Sequence, residues 1–402
     1  MASPIKSLQM KDFLSLLPNR QKQFAAAPEA SLPVADSARV LAKALHPKRQ
    51  YLTVAAVTER APDCKSFTLV PDPDRGTQAL AYFAAGKYLT VYETIAGMPA
   101  TRAYSISSAP KAALAGSYEL TVKRVDGGLM SNYILQNWAV GTPVEVSAPA
   151  GNFEYQPLRD APTVIGLAGG SGITPFVSLA NAIADGDEDC DLVLLYGSRD
   201  ANSILFREEL DAVQQRTDRV KVVHVLSEPG KKKLPAGMEK GFLTAELIRK
   251  YAPEDALYSI FICGPQQMYA FLEKELETLG LARKYIRRET FGEVHDPASL
   301  PEYPADVPET VQITVTVQDR TATFTASTAD SVMQALEKNG VAVPARCRSG
   351  ECGFCHSHLL SGEVFVPKTL EFRRMADFKY GCIHPCCSFP LTDLVLNVPA
   401  AD

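Results

Sequence analysis

The sequence predicts a multidomain protein in which an antiparallel β-barrel, an α/β domain with a parallel sheet and an α+β domain follow one another. At 402 residues the chain is too long for one ordinary core, so two to four domains are expected. Short β-rich runs give way, near residue 158, to unbroken apolar runs that alternate with helical segments. A cysteine-rich segment then follows a proline-rich stretch at 292–310.

Composition limits the class of protein. The chain is 46% hydrophobic and 22% charged, with a net charge of −5, which is typical of a globular protein and disfavours nucleic acid as a partner. It contains no run of 18 apolar residues, which predicts no membrane span, and its N-terminus lacks the apolar core of a signal peptide. We therefore expect a cytoplasmic protein.

Residues 49–157 are predicted to form the barrel. Five β-rich runs are separated by turn residues: YLTVAAVTE, SFTLV, KYLTVYE, YELTVKRV and PVEVSAP. Many short strands at this spacing favour a small antiparallel barrel. Residues 1–48 are predicted to be a poorly patterned helical extension before it, either a docking arm or a loosely attached tail.

Residues 158–291 are predicted to form the parallel-sheet domain. Their apolar runs are PTVIGLAGG, DLVLLYGSR, KVVHVLS and YSIFICGP. Unbroken apolar strands indicate a parallel sheet covered on both faces, which binds ligands at the carboxyl ends of its strands. Residues 292–310 are read as an extended linker, and residues 311–402 as the α+β domain, with a capped helix in DSVMQALEKNG.

Nine cysteines, six of them in the last sixty residues, indicate a metal or iron–sulfur site rather than a disulfide framework. Cys347, Cys352 and Cys355 have the C-x4-C-x2-C spacing of plant-type [2Fe–2S] centres, whose fourth cysteine comes later. Gly350 and Gly353 allow a tight loop whose N–H groups turn toward the sulfurs. Zinc is the alternative, but it usually needs two C-x2-C hairpins and the chain has one.

The segment SVMQALEKNGVAVPARCRSGECGFCHSHLLSGEV resembles a plant-type ferredoxin domain, which implies a β-grasp fold. The ending CCSFPLTDLVL is similar to the family's Cys-x-x-x-Pro before a final strand. The resemblance places the fourth ligand at Cys386, with Cys382 and Cys387 as alternatives. A Rieske centre uses two histidines in place of two cysteines. His356 and His358 replace no cysteine of this motif, so they are predicted to be ordinary strand residues.

The stretch RAYSISSAP, residues 102–110, suits a flat ring with a phosphate tail. Arg102 can pair with a pyrophosphate, Tyr104 can lie against a ring, and Ser105 offers a hydroxyl to its edge. The stretch resembles the flavin motif of the ferredoxin–NADP reductase superfamily, and GGLMSNYI resembles its second phosphate segment, where a helix N-terminus suits an anion. The resemblance implies FAD, with FMN as the alternative, bound by Arg102, Ala103, Tyr104, Ser105, Gly128, Met130 and Ser131.

The stretch VIGLAGGSGITPF reads as a strand, a glycine-rich turn and a helix, a pattern that lets backbone approach a phosphate. It resembles the same superfamily, whose loop lies under the nicotinamide half of NAD(P)H, and FICGPQQMY resembles the family's C-G-P turn beside the hydride-transfer point. The residues implied are Gly170, Gly172, Thr174, Pro175, Cys263, Gly264 and Pro265. Cys263 is not expected to be a nucleophile.

Two further segments concern the same nucleotide. Ser198 and Arg199 can hold a 2′-phosphate, because an arginine fork matches phosphate. Stacking of Arg199 on the adenine of NADH is the alternative, with a slight preference for NADPH. In RRETFGE the resemblance implies that Phe291 stacks over the flavin and that Glu289 lines the site. The candidate catalytic set is Ser105, Cys263, Glu289 and Phe291.

The three modules in this order resemble the reductase components of bacterial multicomponent oxygenases, such as those of phthalate dioxygenase and phenylacetyl-CoA epoxidase systems. NAD(P)H gives two electrons as a hydride and a [2Fe–2S] cluster takes one at a time, so a flavin is needed between them. The resemblance implies an NAD(P)H-dependent oxidoreductase with a protein acceptor such as an oxygenase. Alternatives are a docking or electron-transfer subunit of a larger redox complex, and a stand-alone diaphorase.

Overall fold

The computed structural model describes residues 10–27, 36–230, 234–235, 237–254, 256–290, 294, 296–371 and 375–401. Contacts divide the chain into two compact units, Met1–Lys43 and Ala44–Asp402. Helix α1 (Met10–Ala26) belongs to the first, and helix α2 (Ser37–Leu45) runs across the division. None of the helices in the described ranges has the length and apolar character that crossing a bilayer requires.

The barrel domain is an antiparallel sheet of six strands in the order β4-β3-β6-β1-β2-β5. Its elements are β1 (Gln50–Ala61), β2 (Cys64–Pro71), β3 (Tyr88–Ile95), β4 (Met98–Ser105), α3 (Pro110–Leu114), β5 (Tyr118–Lys123), α4 (Leu129–Asn137) and β6 (Pro143–Val146). A bridge between Ile106 and Leu120 joins the two ends of the sheet. The predicted barrel is therefore confirmed, and residues 102–105 end a strand, β4, that the sequence patterns did not single out.

The parallel-sheet domain contains six parallel strands in the order β10-β9-β8-β7-β11-β12. Its strands are β7 (Thr163–Gly169), β8 (Asp191–Ser198), β9 (Val220–Leu226), β10 (Met238–Lys240), β11 (Tyr258–Cys263) and β12 (Ile286–Glu289), and its helices are α5 (Thr174–Ala184), α6 (Arg207–Arg216), α7 (Ala245–Tyr251) and α8 (Gln266–Glu277). Strand order reverses between β7 and β11, and ligands bind at the carboxyl end of such a switch point.

The C-terminal domain packs one helix on a five-stranded mixed sheet in the order β14-β13-β19-β15-β17, with a two-stranded ribbon beside it. Its elements are β13 (Thr310–Val317), β14 (Arg320–Ser327), α9 (Val332–Lys338), β15 (Ser357–Ser361), β16 (Val364–Phe365), α10 (Lys368–Glu371), α11 (Met375–Lys379), β17 (Cys382–Ile383), β18 (Phe389–Pro390) and β19 (Leu394–Val398). Ser331 and Gln334 form a capping box at the start of α9, as its sequence predicts. The stretch read as an extended linker contains a short 3-10 helix, Pro297–Ser299.

The barrel and parallel-sheet domains share an apolar core. Phe153, just after the barrel, lies 5.6 Å from the Phe176 ring and 5.2 Å from the Phe261 ring, both in the parallel-sheet domain. The Ser178 hydroxyl of α5 donates a hydrogen bond of 2.8 Å to the backbone oxygen of Ser108. Burying α5 on both sides explains why nearly all of its residues are apolar or small.

The contact between the barrel and C-terminal domains has a different chemistry. Thr90 Oγ1 lies 3.5 Å from the backbone oxygen of Arg346, and Arg348 Nη1 lies 3.3 Å from Thr101 Oγ1. The apolar core of the C-terminal domain is made of its own residues, from Val311 to Val398. The domain that carries the cysteines is therefore held to the barrel through polar groups.

Candidate active site

The end of β4 carries the predicted flavin residues. Arg102 and Tyr104 pair directly with Val91 and Leu89 of β3, which places the two side chains on one face of the strand. Ser105 is buried, and its Oγ has no hydrogen-bond partner among the described residues. A buried hydroxyl without a partner costs about 1–3 kcal/mol. The residue therefore fits a bound ring that supplies a polar atom at its edge.

The residues predicted to bind the phosphates lie on β4 and at the start of α4. Arg102 Nη1 donates a hydrogen bond of 2.7 Å to the backbone oxygen of Thr101. Gly128 precedes the first helical residue of α4, and Met130 and Ser131 are buried in its first turn. A Cβ atom at Gly128 would lie 2.8 Å from Ser131 Oγ, so the close turn requires glycine.

A cleft of about 900 Å³ opens at the carboxyl ends of the parallel strands. Predicted residues that line it are Gly170, Ser198, Arg199 and Pro265. Phe242 and Phe271 also line it, although their side chains are 65% and 40% exposed, and their rings lie 5.9 Å apart. Sequence reasoning missed this pair, because Phe242 follows β10 and Phe271 lies on α8, and only the fold brings them together.

The two glycine motifs are in backbone contact. A Cβ atom at Gly172 would overlap the backbone oxygen of Cys263 and would lie 2.7 Å from the Cα atom of Gly264. Thr174 is the first residue of α5, with Pro175 next to it, where proline is favoured. The sequence predicted both motifs separately, and the structure joins them at the switch point of the sheet.

Cys263 and Glu289 are the carboxyl-terminal residues of two neighbouring strands, and they pair in register. Both are buried. Burial, assisted by the charge of Glu289, raises the pKa of the Cys263 thiol well above its ordinary value. The thiol therefore stays protonated, which agrees with the expectation that it is no nucleophile. The predicted role of Phe291 falls outside the described residues.

Arg199 reaches from the end of β8 to the mouth of the cleft. Its side chain is 70% exposed, and its Nε lies 3.1 Å from Asp200 Oδ2. The Asp200 carboxylate also accepts hydrogen bonds from the backbone N–H groups of Asn202 and Ser203. The hydrogen bond from Arg199 is the main cause that lowers the pKa of Asp200.

The cysteine loop, residues 346–355, gathers the predicted thiols with Cys386. Cys355 Sγ lies 3.5 Å from Cys386 Sγ, and the backbone N–H of Gly350 donates to Cys386 Sγ at 3.3 Å. Further N–H groups donate to sulfur, from Cys352 to Cys347 Sγ and from Phe354 to Cys352 Sγ, at 3.4 Å each. Gly350 and Gly353 have positive φ angles of 76° and 66°, so the predicted tight loop is present.

The chemistry of these four cysteine thiols is suited to iron. Hydrogen bonds from the Cys352 and Cys386 thiols and from backbone N–H groups hold the pKa of the Cys347 thiol well below its ordinary value, and the thiolate is the form that binds metal. The hydrogen bonds to Cys347 raise the pKa of the Cys352 and Cys386 thiols instead, so one proton is shared among close sulfurs until a metal replaces it. Among the described residues, no set of three or more His, Cys, Asp or Glu side chains is arranged around one metal ion. A [2Fe–2S] cluster does not require that arrangement, because its four thiolates surround two irons.

The other two candidate ligands lie differently. Cys387 Sγ lies 3.5 Å from the backbone oxygen of His384. A Cβ atom at Gly350 would lie 2.7 Å from Cys387 Sγ, so that sulfur packs against the back of the loop. Cys382 Sγ lies 3.7 Å from His358 Nδ1 on the neighbouring strand.

Comparison with known proteins gives the same three parts. Residues 52–155 match the family model described as "Oxidoreductase FAD-binding domain". Residues 167–274 match "Oxidoreductase NAD-binding domain", and residues 315–391 match "2Fe-2S iron-sulfur cluster binding domain". The last range contains all four predicted ligand cysteines, which favours iron over the zinc alternative.

Relatives match almost the whole chain. It is 30% identical to the ferredoxin reductase component of 3-ketosteroid-9-alpha-monooxygenase from Rhodococcus rhodochrous, over 85% of this chain and 94% of the relative. It is 29% identical to the reductase component of glycine betaine monooxygenase from Pseudomonas aeruginosa, over 87% and 95%. The solved structure of phthalate dioxygenase reductase is 26% identical, with a TM-score of 0.61, over 87% of this chain and 98% of that chain.

The chain therefore belongs to the family of ferredoxin reductase components that combine FAD-binding, NAD-binding and 2Fe-2S domains. It is an NAD(P)H-dependent oxidoreductase that passes electrons to a protein acceptor, and its cofactors are FAD, a [2Fe–2S] cluster and NAD(P)H. The fold class, the cofactors and the reductase activity predicted from the sequence are confirmed.

Proposed function

We propose that this chain is the reductase component of a multicomponent oxygenase, which supplies electrons from NAD(P)H to an oxygenase protein. The observation that carries the proposal is the packing of the cysteine loop against β4, the strand that bears the flavin motif, through the Arg348–Thr101 contact. A reductase that serves a one-electron protein acceptor needs this proximity. Matched relatives named as oxygenase reductases support the acceptor class.

The barrel residues bind and orient the flavin in this proposal. Arg102 and the N-terminus of α4 hold the pyrophosphate, since an arginine fork and helix N–H groups both favour an anion. Tyr104 lies against the ring, and the unpartnered Ser105 hydroxyl contacts the ring edge. FAD held by these residues would supply the link between a two-electron hydride donor and a one-electron [2Fe–2S] acceptor.

The parallel-sheet residues bring the nucleotide to that ring. The Gly172 turn lets the phosphates approach the backbone, and Cys263 and Glu289 line the place where the nicotinamide enters. Neither side chain moves a proton in this proposal, since hydride transfer needs orientation and exclusion of water rather than an acid or base. Phe242 and Phe271 offer the adenine an aromatic face at the rim.

We propose Cys386 as the fourth cluster ligand, together with Cys347, Cys352 and Cys355. Its sulfur is the one that lies 3.5 Å from Cys355 Sγ and receives the Gly350 N–H. We also propose a cytoplasmic location. None of the nine cysteines, all of which lie in the described residues, is in a disulfide, which fits a reducing compartment.

The choice between NADPH and NADH is proposed to depend on Arg199. Its exposed guanidinium at the cleft mouth suits a 2′-phosphate, although Asp200 shares its charge. We expect Arg199→Ala to raise the KM for NADPH more than the KM for NADH. Arg219→Ala, which removes an exposed arginine paired with Asp189 and Asp191, is the control. Equal losses for both nucleotides would remove the 2′-phosphate assignment.

An anaerobic titration tests the function itself. NADPH or NADH should bleach the flavin band of the purified protein and then the cluster band, and the reduced protein should reoxidise on addition of a one-electron protein acceptor. An oxygenase component that co-purifies with the chain and turns over with it would identify the acceptor. A colourless protein free of acid-labile sulfide would overturn the proposal.

A further inference from the structure

Arg348, the residue after the first ligand cysteine, is the largest side chain that the described part of the protein buries completely, with 1% exposed. Its backbone has a φ angle of 56°, in a region that residues other than glycine rarely adopt. A cation is buried only where it is paired. The unusual backbone therefore turns this side chain inward, toward specific partners.

Glu337 of α9 is the main partner. Its Oε1 lies 2.5 Å from Arg348 Nη1, and its Oε2 lies 3.0 Å from Arg348 Nη2, a two-point contact between a planar guanidinium and a carboxylate. This geometry fixes orientation as well as distance, and it fastens the cysteine loop to the buried face of α9.

The same carboxylate faces the flavin strand. Arg102 Nη1 lies 3.8 Å from Glu337 Oε2, and Arg348 Nη1 also lies 3.3 Å from Thr101 Oγ1. Thr101 and Arg102 are consecutive residues of β4. Glu337 thus lies between Arg348, which follows the proposed ligand Cys347 in the chain, and Arg102 of the flavin motif.

We propose that Glu337 is a positioning residue that sets the separation of the cluster and the flavin, by holding Arg348 and Arg102 at the polar contact between the C-terminal and barrel domains. The inference rests on the proposed function. It concerns the step in which one electron leaves the reduced flavin and reduces the cluster by one, and it leaves the hydride step to other residues.

The physical reason is the chemistry of this contact. The barrel and parallel-sheet domains are held by shared apolar packing, whereas the apolar core of the C-terminal domain is its own. Polar groups therefore have to define where the cysteine loop lies on β4. Electron transfer between two bound cofactors slows as their separation grows, so loss of one central carboxylate should be visible in the transfer rate.

The test uses the full holoprotein and three variants. Glu337→Gln keeps the size of the side chain and removes its charge. Lys338→Met is the matched control, because the neighbouring residue of α9 pairs with Asp330 on the exposed face. Thr101→Val removes the barrel-side acceptor and leaves the Glu337–Arg348 pair intact.

Two measurements are made on each protein. Stopped-flow absorbance resolves flavin bleaching by NAD(P)H from the later bleaching of the cluster. Hydrogen exchange follows the backbone amides of the cysteine loop and of β4. For Glu337→Gln, compared with the parent at equal flavin content, we expect unchanged flavin bleaching, several-fold slower cluster reduction, and faster exchange in both segments. Thr101→Val should show the same changes in smaller measure, and Lys338→Met should behave as the parent.

The inference is overturned if Glu337→Gln reduces its cluster at the parental rate with parental exchange. If that variant fails to assemble a cluster, Thr101→Val decides, and parental behaviour of Thr101→Val then refutes the inference. Absence of flavin bleaching in the parent protein would instead defeat the proposed function, so the two failures are distinguishable.

Discussion

At the residue scale, two positions of the candidate site are explained by atoms in their immediate surroundings. Ser105 Oγ is buried without a partner among the described residues at the end of a strand, and folding does not favour such a group by itself. Gly172 is required because any side chain there would collide with the turn at Cys263. Ser105 is therefore explained by what binds beside it, whereas Gly172 is explained by the close approach of two turns of the chain.

The Ser105 hydroxyl gives a prediction with opposite effects on rate and stability. Ser105→Ala should slow flavin reduction by NAD(P)H about tenfold or more, as loss of a positioned donor usually does. The same change should leave the unfolding temperature of the flavin-free protein equal or slightly higher, because it removes a buried polar group that no described residue satisfies. Stopped-flow reduction and thermal unfolding measure the two effects.

Thr101→Val is a suitable comparison for Ser105→Ala, since it removes a hydroxyl from the same strand that does have a partner. It should leave flavin reduction unchanged. A Ser105→Ala protein that reduces its flavin at the parental rate would show that the hydroxyl has no role at the ring.

The fourth cluster ligand gives a second prediction at this scale. Cys386→Ser should lose most of its acid-labile sulfide and cluster absorbance, because a hydroxyl is a poorer ligand than thiolate for iron in these clusters, while its flavin is still bleached by NAD(P)H. Cys387→Ser, the matched control one residue away, should retain the cluster. The reverse pattern would assign Cys387 as the ligand.

At the scale of elements, apolar runs in the sequence predicted the strands of the parallel sheet, but they did not predict that a polar side chain in one of these strands is buried. His224 lies in β9 and is 5% exposed. Its ring lies 5.9 Å from Tyr196 of β8, and neither ring nitrogen has a hydrogen-bond partner among the described residues. Burial lowers its pKa from the ordinary 6.5, with Asp211 and Arg207 as opposing charges.

His224 therefore makes stability depend on pH. In the unfolded chain the imidazole gains a proton as pH falls through 6.5, while the folded protein keeps it neutral to lower pH. The unfolded state binds more protons, so stability falls as the pH is lowered below that value. We expect His224→Leu to show a smaller drop in unfolding temperature between neutral pH and about pH 5 than the parent protein.

The exposed His356 provides the control for that experiment. His356→Gln replaces an exposed histidine, so it controls for the effect of removing a histidine as such, and it should lose stability on acidification as the parent does. If His224→Leu and the parent lose stability equally on acidification, the buried imidazole is not the group responsible.

At the scale of the whole molecule, the three domains are joined by two kinds of contact, one apolar and one polar. The nucleotide and flavin domains are joined by apolar packing that includes Phe153, Phe176 and Phe261, which suits a hydride step that needs fixed geometry. The C-terminal domain is joined to the barrel by polar contacts. Interfaces of that kind resemble transient protein–protein contacts.

The division of the chain at Lys43 gives a prediction for the whole protein. A chain that begins at Ala44 should fold, bind FAD, assemble its cluster and oxidise NAD(P)H with a small acceptor as the full chain does, because residues 44–402 form a compact unit. Flavin content, sulfide content and ferricyanide reduction measure this. Loss of either cofactor on truncation would show that residues 1–43 belong to the reductase fold.

Much of the site could be predicted from local sequence. The C-x4-C-x2-C loop with Gly350 and Gly353, the glycine turn at Gly172 and the C-G-P turn are local, since their geometry depends on backbone conformations that few residues can adopt. The three-domain fold could be predicted for a similar reason. Alternating and unbroken apolar patterns report which faces of a strand are buried.

Contacts between distant segments could not be predicted. Phe242 and Phe271 meet only because β10 and α8 end at the same cleft, and the pairing of Cys263 with Glu289 depends on strand register. Residues 292–310 were predicted to be an extended linker, but Pro297–Ser299 within them forms a 3-10 helix. No local pattern indicates a partner that lies many residues away.

The sequence by itself determined the three modules, their order and the residues suited to each cofactor, because spacing and periodicity are properties of short segments. Only the tertiary structure decided that Glu337 lies between Arg348 and Arg102, and that Cys386 rather than Cys387 lies against Cys355. Such choices depend on how separately folded segments pack, and packing is fixed by the whole set of buried contacts at once.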